Sequence, residues 1–467
     1  MKYVMGIKYN QLKRDSTSCI LQEVESLFNT IYCKKIFVRY NEYISNFIAK
    51  ECSCMANIII KNDLTMEKKI DLMRQDSIFD VADDDSVCIP DLSSIKNEVK
   101  SKKNLPKVPK IFMSNECIFN CAYCECRASN DTRYCYTNDP KELAQIAVDE
   151  ANKNGQGVFI SSAIFKNADY TTELIIGTLK CIRNDFGYKG YVHAKIMPGT
   201  DMELIRQAGL YANRLSVNIE VAKSEGYKKI AMNKTKENIL TPMRHISRLI
   251  KSAASEKSRY APRFATSQIT QLMAGSMDES DYEILRLSKA MYNKYDLKRV
   301  YYTPFQYKHP AKGYANLEPI STPSWRMKRL YQADRLMQLY DFTPEEIAPD
   351  FAPHLESDID PKAAWAIRNI HLYPIEVNTA DYEMLLRIPG IGVTYAARII
   401  KARKYCKISH EVLKALGVSL KRSRHFLTCD GKYQGEKCEN IEVYRSLLAF
   451  PLDAPGNALT VNAIEDD

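Results

Sequence analysis

From Val108 onward, short apolar, β-branched runs alternate six times with longer runs whose apolar positions recur every three or four residues. The runs near 108–113, 157–162, 191–196, 214–220, 263–270 and 299–304 predict strands. Those at 140–153, 170–184, 201–208, 237–256 and 281–295 predict amphipathic helices, with Gly, Asn and Asp breaking the pattern between them. Strictly alternating strand and helix imply a parallel sheet with right-handed crossovers. Six such units suit a partial (β/α)6 TIM-like barrel over 108–307 better than a complete eight-stranded one, so the fold class is α/β.

Strands covered by helices normally read as continuous apolar runs, and several of these do not. In RLSVNIE (214–220), Leu215, Val217 and Ile219 share one face and Ser216, Asn218 and Glu220 the other. In YVHAKI (191–196), His193 and Lys195 oppose Val192, Ala194 and Ile196. Thr266, Gln268 and Thr270 extend the theme to the fifth strand, and Ser161 and Ser162 end the second. With helices outside, the polar faces are expected to point into the lumen and meet a polar ligand near the strand C-termini. His193, Lys195 and Glu220 are the candidates for carboxylate binding or proton transfer. An internal hydrogen-bonded network filling the barrel is the alternative for any one of these positions.

Beyond the barrel, 308–372 reads as a helical connector and 373–435 as a second, all-α module, followed by a tail at 436–467. Residues 1–65 form an N-terminal extension and 66–107 a lead-in segment. The second module carries a weak internal repeat, LRIPGIG at 386–392 and LKALGVS at 413–419, each followed by a basic run. It also holds the charge. The chain's net charge is +9, and residues 385–432 alone contain eleven basic side chains against Glu411 and Asp430, so the rest of the chain is neutral in sum. A polyanionic partner for this segment follows.

No apolar run approaches the length of a membrane helix, so no membrane partner is expected. The opening MKYVMGIKYNQLKRD lacks a signal-peptide pattern, which places the chain in the cytoplasm. Its fourteen cysteines are then thiols or metal ligands rather than a disulfide framework. CIFNCAYC puts Cys117, Cys121 and Cys124 on one loop between a strand and a helix. Three thiolates so spaced can hold three irons of a [4Fe-4S] cluster, leaving the fourth iron open for substrate or cofactor. A zinc site completed by Cys126 or Cys135, or buried unliganded thiols, are the alternatives.

The CxxxCxxC spacing, with Tyr123 before the last cysteine and a (β/α)6 pattern behind it, resembles the radical S-adenosylmethionine superfamily. The resemblance implies that Cys117, Cys121 and Cys124 hold a [4Fe-4S] cluster whose open iron chelates S-adenosylmethionine for reductive cleavage to a 5′-deoxyadenosyl radical. It further implies that Ser161 and Ser162 stand where that superfamily contacts the methionyl amino group, though the usual Gly-Gly-Glu is absent. Ser216 and Asn218 stand where it contacts the ribose, and Tyr123 and Gln268 complete the expected cofactor contacts.

VNTADYEMLLRIPGIGVTYAARIIKAR (377–403) reads as helix, tight turn, helix, with Asn378 or Thr379 as the first cap. It is similar to a helix–hairpin–helix motif, with Pro389, Gly390, Ile391 and Gly392 expected to cradle a DNA phosphate on backbone amides. Arg387, Arg398, Lys401 and Arg403 would add charge. A tight αα-hairpin with a solvated basic face is the plainer alternative. Together with LYQAD, LKRVYY and HFLTCDGKY, the order of motifs over about 66–435 resembles a radical S-adenosylmethionine subfamily associated with DNA modification or repair. That resemblance implies DNA as partner, a nucleoid-associated location, an electron donor such as flavodoxin or ferredoxin, and a uracil-DNA glycosylase-like companion. An RNA-modifying radical enzyme and a non-enzymatic DNA-binding protein with a structural metal remain the competing readings.

Overall fold

The computed structural model describes residues 68, 70–73, 108–130, 134–154, 157–258, 263–307, 313–314, 317, 320–436 and 440–449. The 1–65 extension, nearly all of 66–107, the end of the tail, and Cys19, Cys33, Cys52, Cys54 and Cys438 lie outside the described residues. So does part of the connector between 308 and 319.

Six strands, β1 (Lys110–Phe112), β2 (Val158–Ser161), β3 (Val192–Lys195), β4 (Arg214–Ser216), β5 (Ser267–Ala274) and β6 (Arg299–Pro304), form one all-parallel sheet in chain order. The crossover helices are α1 (Pro140–Asn154), α2 (Ala168–Lys180), α3 (Met202–Tyr211), α4 (Glu225–Ile230), α5 (Lys236–Ser255) and α6 (Asp281–Tyr295). Because every crossover steps to the next strand with one hand, the helices fall on one face, and α1, α2, α3, α5 and α6 pack side by side in sequence. The result is a partial barrel whose strands are almost wholly buried.

Local chemistry explains the helix starts. Asn167, Asp201 and Thr235 accept backbone N–H groups at the heads of α2, α3 and α5, and Ser280 with Glu283 forms a capping box on α6. Each predicted strand and helix has a counterpart, but the fourth strand ends at Ser216 rather than 220, leaving Asn218 and Glu220 beyond it, and the fifth is displaced. The fifth strand begins at Ser267 instead of 263 and continues to Ala274, because its pairing with β6 runs from Ile269–Arg299 to Ala274–Pro304.

The connector is packed. After the small β7–β8 ribbon (Gln306–Tyr307 with Ile320–Ser321), α7 (Ser324–Leu339) lies against β6 and α6, with the Tyr302 hydroxyl donating to Ser288 Oγ at 2.8 Å. Arg329 of α7 is fully buried and donates to the carbonyls of Glu356 and Ser357. Two further helices, α8 (Pro344–Ile347) and α9 (Pro361–Arg368), complete this layer.

The module that follows contains α10 (Tyr382–Arg387), α11 (Val393–Ala402), α12 (His410–Ala415) and α13 (Leu420–Ser423). It is not all-α. A three-stranded sheet pairs β9 (Ile375–Glu376) with β10 (Leu427–Cys429) and β10 with β11 (Lys432–Tyr433). The reason is the Asp430-Gly431 turn, where both residues have positive φ (52° and 72°) and so join two strands in a tight hairpin. The cap of α10 is Asp381, whose Oδ1 accepts from Met384 N at 2.7 Å, rather than Asn378 or Thr379. Asn378 instead bridges to Ile408 through both ends of its amide. A last helix, α14 (Ile441–Leu448), packs on α9.

Candidate active site

The cysteine loop after β1 is held at several points. Ile118 N donates to Ile164 O, Ala122 N to Ile230 O at 2.8 Å, and Asn120 N to Asn233 Oδ1 at 3.0 Å. The Tyr314 hydroxyl donates to the Asn120 carbonyl. Thus the segment after β2 and the turn after α4 fix the loop's shape from outside it.

Cys117, Cys121 and Cys124 line one cavity of about 350 Å³. Its other walls include Tyr123, Cys126, Ser162, Lys195, Asn218, Glu220, Lys234, Gln271, Met273 and Thr303. All but Lys234, which stands in the turn after α4, come from the cysteine loop, the last residues of a strand, or the segment just after one. The cavity therefore sits at the C-terminal mouth of the barrel, and its volume suits a small molecule.

Burial pushes the Cys121 thiol up to about 12. Burial also raises Cys117, with the nearby Cys124 adding to the effect. Cys124 goes the other way, chiefly because the Cys126 side chain hydrogen-bonds its sulfur. Lys234 favours the thiolate at all three. Its Nζ donates to Glu220 Oε1 at 2.6 Å and to the Tyr123 hydroxyl oxygen at 3.1 Å. Burial alone would lower the lysine; Glu220 and the cysteines outweigh it and hold the ammonium charged. Glu220 itself has φ 64°, in the left-handed region, and β5 locks it there: Glu220 N donates to Gln271 O and Met273 N donates to Glu220 O. A non-glycine residue held in that region at a cavity wall is a feature typical of functional sites.

The residues fit the cofactors that the motif implies. Three sulfurs that surround one cavity, with a cationic ammonium beside them, match a cluster whose corners are separate irons. Among the described residues, no three His, Cys, Asp or Glu side chains group as a single metal ion requires, and Cys135 is not on the cavity wall.

The expected site residues divide. Lys195, Glu220, Tyr123, Ser162 and Asn218 line the cavity with the three cysteines. His193, Ser161 and Ser216 do not. His193 stacks on Phe159 with ring centroids 4.1 Å apart, and its Nε2 shares a hydrogen bond with Ser216 Oγ at 2.9 Å. This fully buried group lies beneath the cavity, as the internal network of the alternative reading. Gln268 is a correction of another kind. Its Nε2 donates to Met243 O and Tyr295 O, in the helix layer, and Thr270 bonds the backbone of the β4 end. The lumen-facing parity is therefore opposite to the one expected, with Gln271 and Met273 lining the cavity in place of Gln268 and Thr270. Lys234, in the turn between α4 and α5, escaped the sequence reading because nothing in its spacing marks it.

The hairpin residues also depart from expectation. Pro389, Gly390, Ile391 and Gly392 are all buried. Gly390 has φ +86°, and a Cβ there would lie 3.3 Å from Arg422 Cβ and from Ser419 O, both in or next to α13. At Gly417, φ +93°, a Cβ would meet Tyr395 of α11 at 3.2 Å. Each glycine turn thus packs on the other hairpin, which is the physical content of the sequence repeat. Arg387 is likewise internal: its guanidinium lies 3.7 Å from the Phe342 ring centroid and pairs with Glu346 at 3.1 Å. Arg403 donates to Ala380 O at 2.5 Å, whereas Arg398 and Lys401 are exposed.

No protein-family model matches the chain, and no curated protein does. Among solved structures, it is similar to the FeFe-hydrogenase maturase HydG from Carboxydothermus hydrogenoformans, with TM-score 0.38 and 16% identity over 49% of this chain and 50% of that one. It is similar to methylornithine synthase PylB, with TM-score 0.37 and 14% identity over 49% and 61%. A second HydG structure gives TM-score 0.36 and 13% identity over 61% and 64%. In each case the matched part is less than two thirds of the solved chain. Likenesses this partial say nothing about chemistry.

Proposed function

We propose that this chain is a radical S-adenosylmethionine iron–sulfur enzyme that acts on DNA. The observation that carries the first part is the meeting of Cys117, Cys121 and Cys124 with Lys195, Asn218, Glu220 and Gln271 in one cavity at the barrel mouth. When bound, a [4Fe-4S] cluster with S-adenosylmethionine at its open iron supplies one-electron reductive cleavage to a 5′-deoxyadenosyl radical. The three cysteines would hold the cluster, and Cys126 would support the Cys124 sulfur. Lys234 offsets sulfur charge and, through Tyr123, holds the loop. Lys195 is the cation suited to a carboxylate, while Asn218 and Gln271 offer amides to the polar remainder of the cofactor.

DNA is supported by charge. The excess of the whole chain lies in 385–432, and Arg398, Lys401, Lys404, Lys407, Lys414, Lys421 and Lys432 are all exposed there. A target base would be extruded to reach the recessed cavity. An electron donor of the flavodoxin or ferredoxin type would supply the reducing equivalent. The test is anaerobic reconstitution followed by incubation with dithionite, S-adenosylmethionine and DNA. Formation of 5′-deoxyadenosine with a change in a nucleoside, seen by mass spectrometry, is expected. Protein that takes up zinc but no iron would overturn the enzyme; turnover on RNA alone would overturn the substrate.

A further inference from the structure

The first glycine turn is buried and packs against the second hairpin, while the exposed cations of the module lie on other surfaces. Helix α11 offers a surface. Its exposed positions are Thr394, Ala397, Arg398 and Lys401, followed by Lys404 and Tyr405 in the turn that ends it. The spacing of three and four places them along one side of the helix. The stripe is small at its start and cationic along its length, and it carries no acidic residue. At its end stands Tyr405, 82% exposed, an aromatic ring that no core claims. The turn itself is well formed: Lys404 N donates to Lys401 O, and Tyr405 N to Ala402 O at 2.9 Å. Lys407, also exposed, follows and pairs with exposed Asp430 at 3.1 Å, a contact that an incoming phosphate can replace.

A row of lysines beside a projecting aromatic is complementary to an unpaired strand, whose phosphates track the charge and whose bases have free faces. Duplex DNA satisfies the lysines but keeps its base faces stacked. We propose that α11 and its terminal turn bind an unpaired stretch of nucleic acid, with phosphates along Arg398, Lys401 and Lys404 and one base stacked on Tyr405. This rests on the nucleic-acid reading above and adds to it the site and the strand state. An unpaired segment held there is also the form from which a base can enter the barrel.

The experiment measures binding of the full chain to a short labelled DNA single strand, its duplex, and the matching RNA strand by fluorescence anisotropy across a salt series. Tyr405→Ala should weaken single-strand binding about tenfold and duplex binding much less, since stacking on one aromatic side chain contributes on that scale. Tyr405→Trp should retain affinity and Tyr405→Leu should not. A Lys401→Glu, Lys404→Glu variant should weaken both DNA forms and flatten the salt dependence. The melting temperature of each should match the parent, because the side chains are exposed. Tyr405→Ala binding within twofold of the parent, or Tyr405→Leu binding as well as Tyr405→Trp, overturns the inference and leaves the nucleic-acid reading intact. Absence of binding to every probe at low salt overturns both.

Discussion

The pair of Lys234 and Glu220 offers the sharpest perturbation of the site. Their side chains are 11% and 5% exposed, and their atoms approach to 2.6 Å beside the cysteine loop. Lys234→Met keeps most of the aliphatic stem, so little packing is lost, but it leaves the Glu220 carboxylate buried without its cation. Removing one member of such a pair costs about 3–5 kcal/mol, far above the roughly 0–1 kcal/mol of a surface ion pair. Glu220 cannot easily turn away, because pairing of its backbone with Gln271 and Met273 fixes it. The variant should therefore unfold at distinctly lower urea. It should also retain less iron, since Lys234 contacts Tyr123 between Cys121 and Cys124. Adding Glu220→Gln removes the stranded charge and should restore about half of the loss, a coupling that a double-mutant cycle isolates. A Lys234→Met variant within about 1 kcal/mol of the parent would refute the reasoning, placing the pair in the range of exposed ones. Strict additivity in the double variant would refute it equally.

Cys117→Ala, Cys121→Ala and Cys124→Ala should each abolish the cubane absorbance of reconstituted protein, whereas Cys135→Ala, off the cavity wall, should leave iron content unchanged by iron assay. Gly390→Val should destabilise the C-terminal module by about 2 kcal/mol or more in a melting experiment, because φ +86° strains any side chain and the Cβ meets Arg422. For Glu376, burial opposes ionisation, but backbone and side-chain donors at Gly431, Asn378 and Asp430 outweigh it and hold the carboxyl down to about 2. Its contribution to stability is present above pH 4.5 and lost as pH falls toward 2, so urea midpoints of the parent should fall through that window more steeply than those of Glu376→Gln.

The alternation of strand and helix, the order of the barrel, the cysteine triplet and the basic hairpin segment were all legible along the chain. Each is encoded within a window of a few residues by periodicity, by Gly, Asn and Asp breakers, or by a motif on one loop. The polar positions of 191–196 and 214–220 could be read for the same reason: Lys195, and Asn218 and Glu220 just beyond β4, line the cavity, whereas His193 and Ser216 on the same faces pair with each other.

What required tertiary structure was every question of which neighbour a side chain meets. On β5 both faces carry polar residues, so the pattern cannot say which one faces the lumen. The register with β6 and the carbonyls of Met243 and Tyr295 make that choice, taking Gln268 and leaving Gln271. His193 looked like a ligand until Phe159 and Ser216 closed on it from two other strands. Gly390 was expected to open its backbone to a phosphate, but the group nearest a Cβ there belongs to the second hairpin, as a Cβ at Gly417, 27 residues along the chain, would meet Tyr395 of the first. Lys234 carries no local signature at all; its importance comes from the fold of the α4–α5 turn, which brings one ammonium to a carboxylate, a tyrosine and three cysteines. Local propensity is a sum over neighbours in sequence, whereas burial and charge pairing depend on neighbours in space, and the sequence alone determines only the first of these directly.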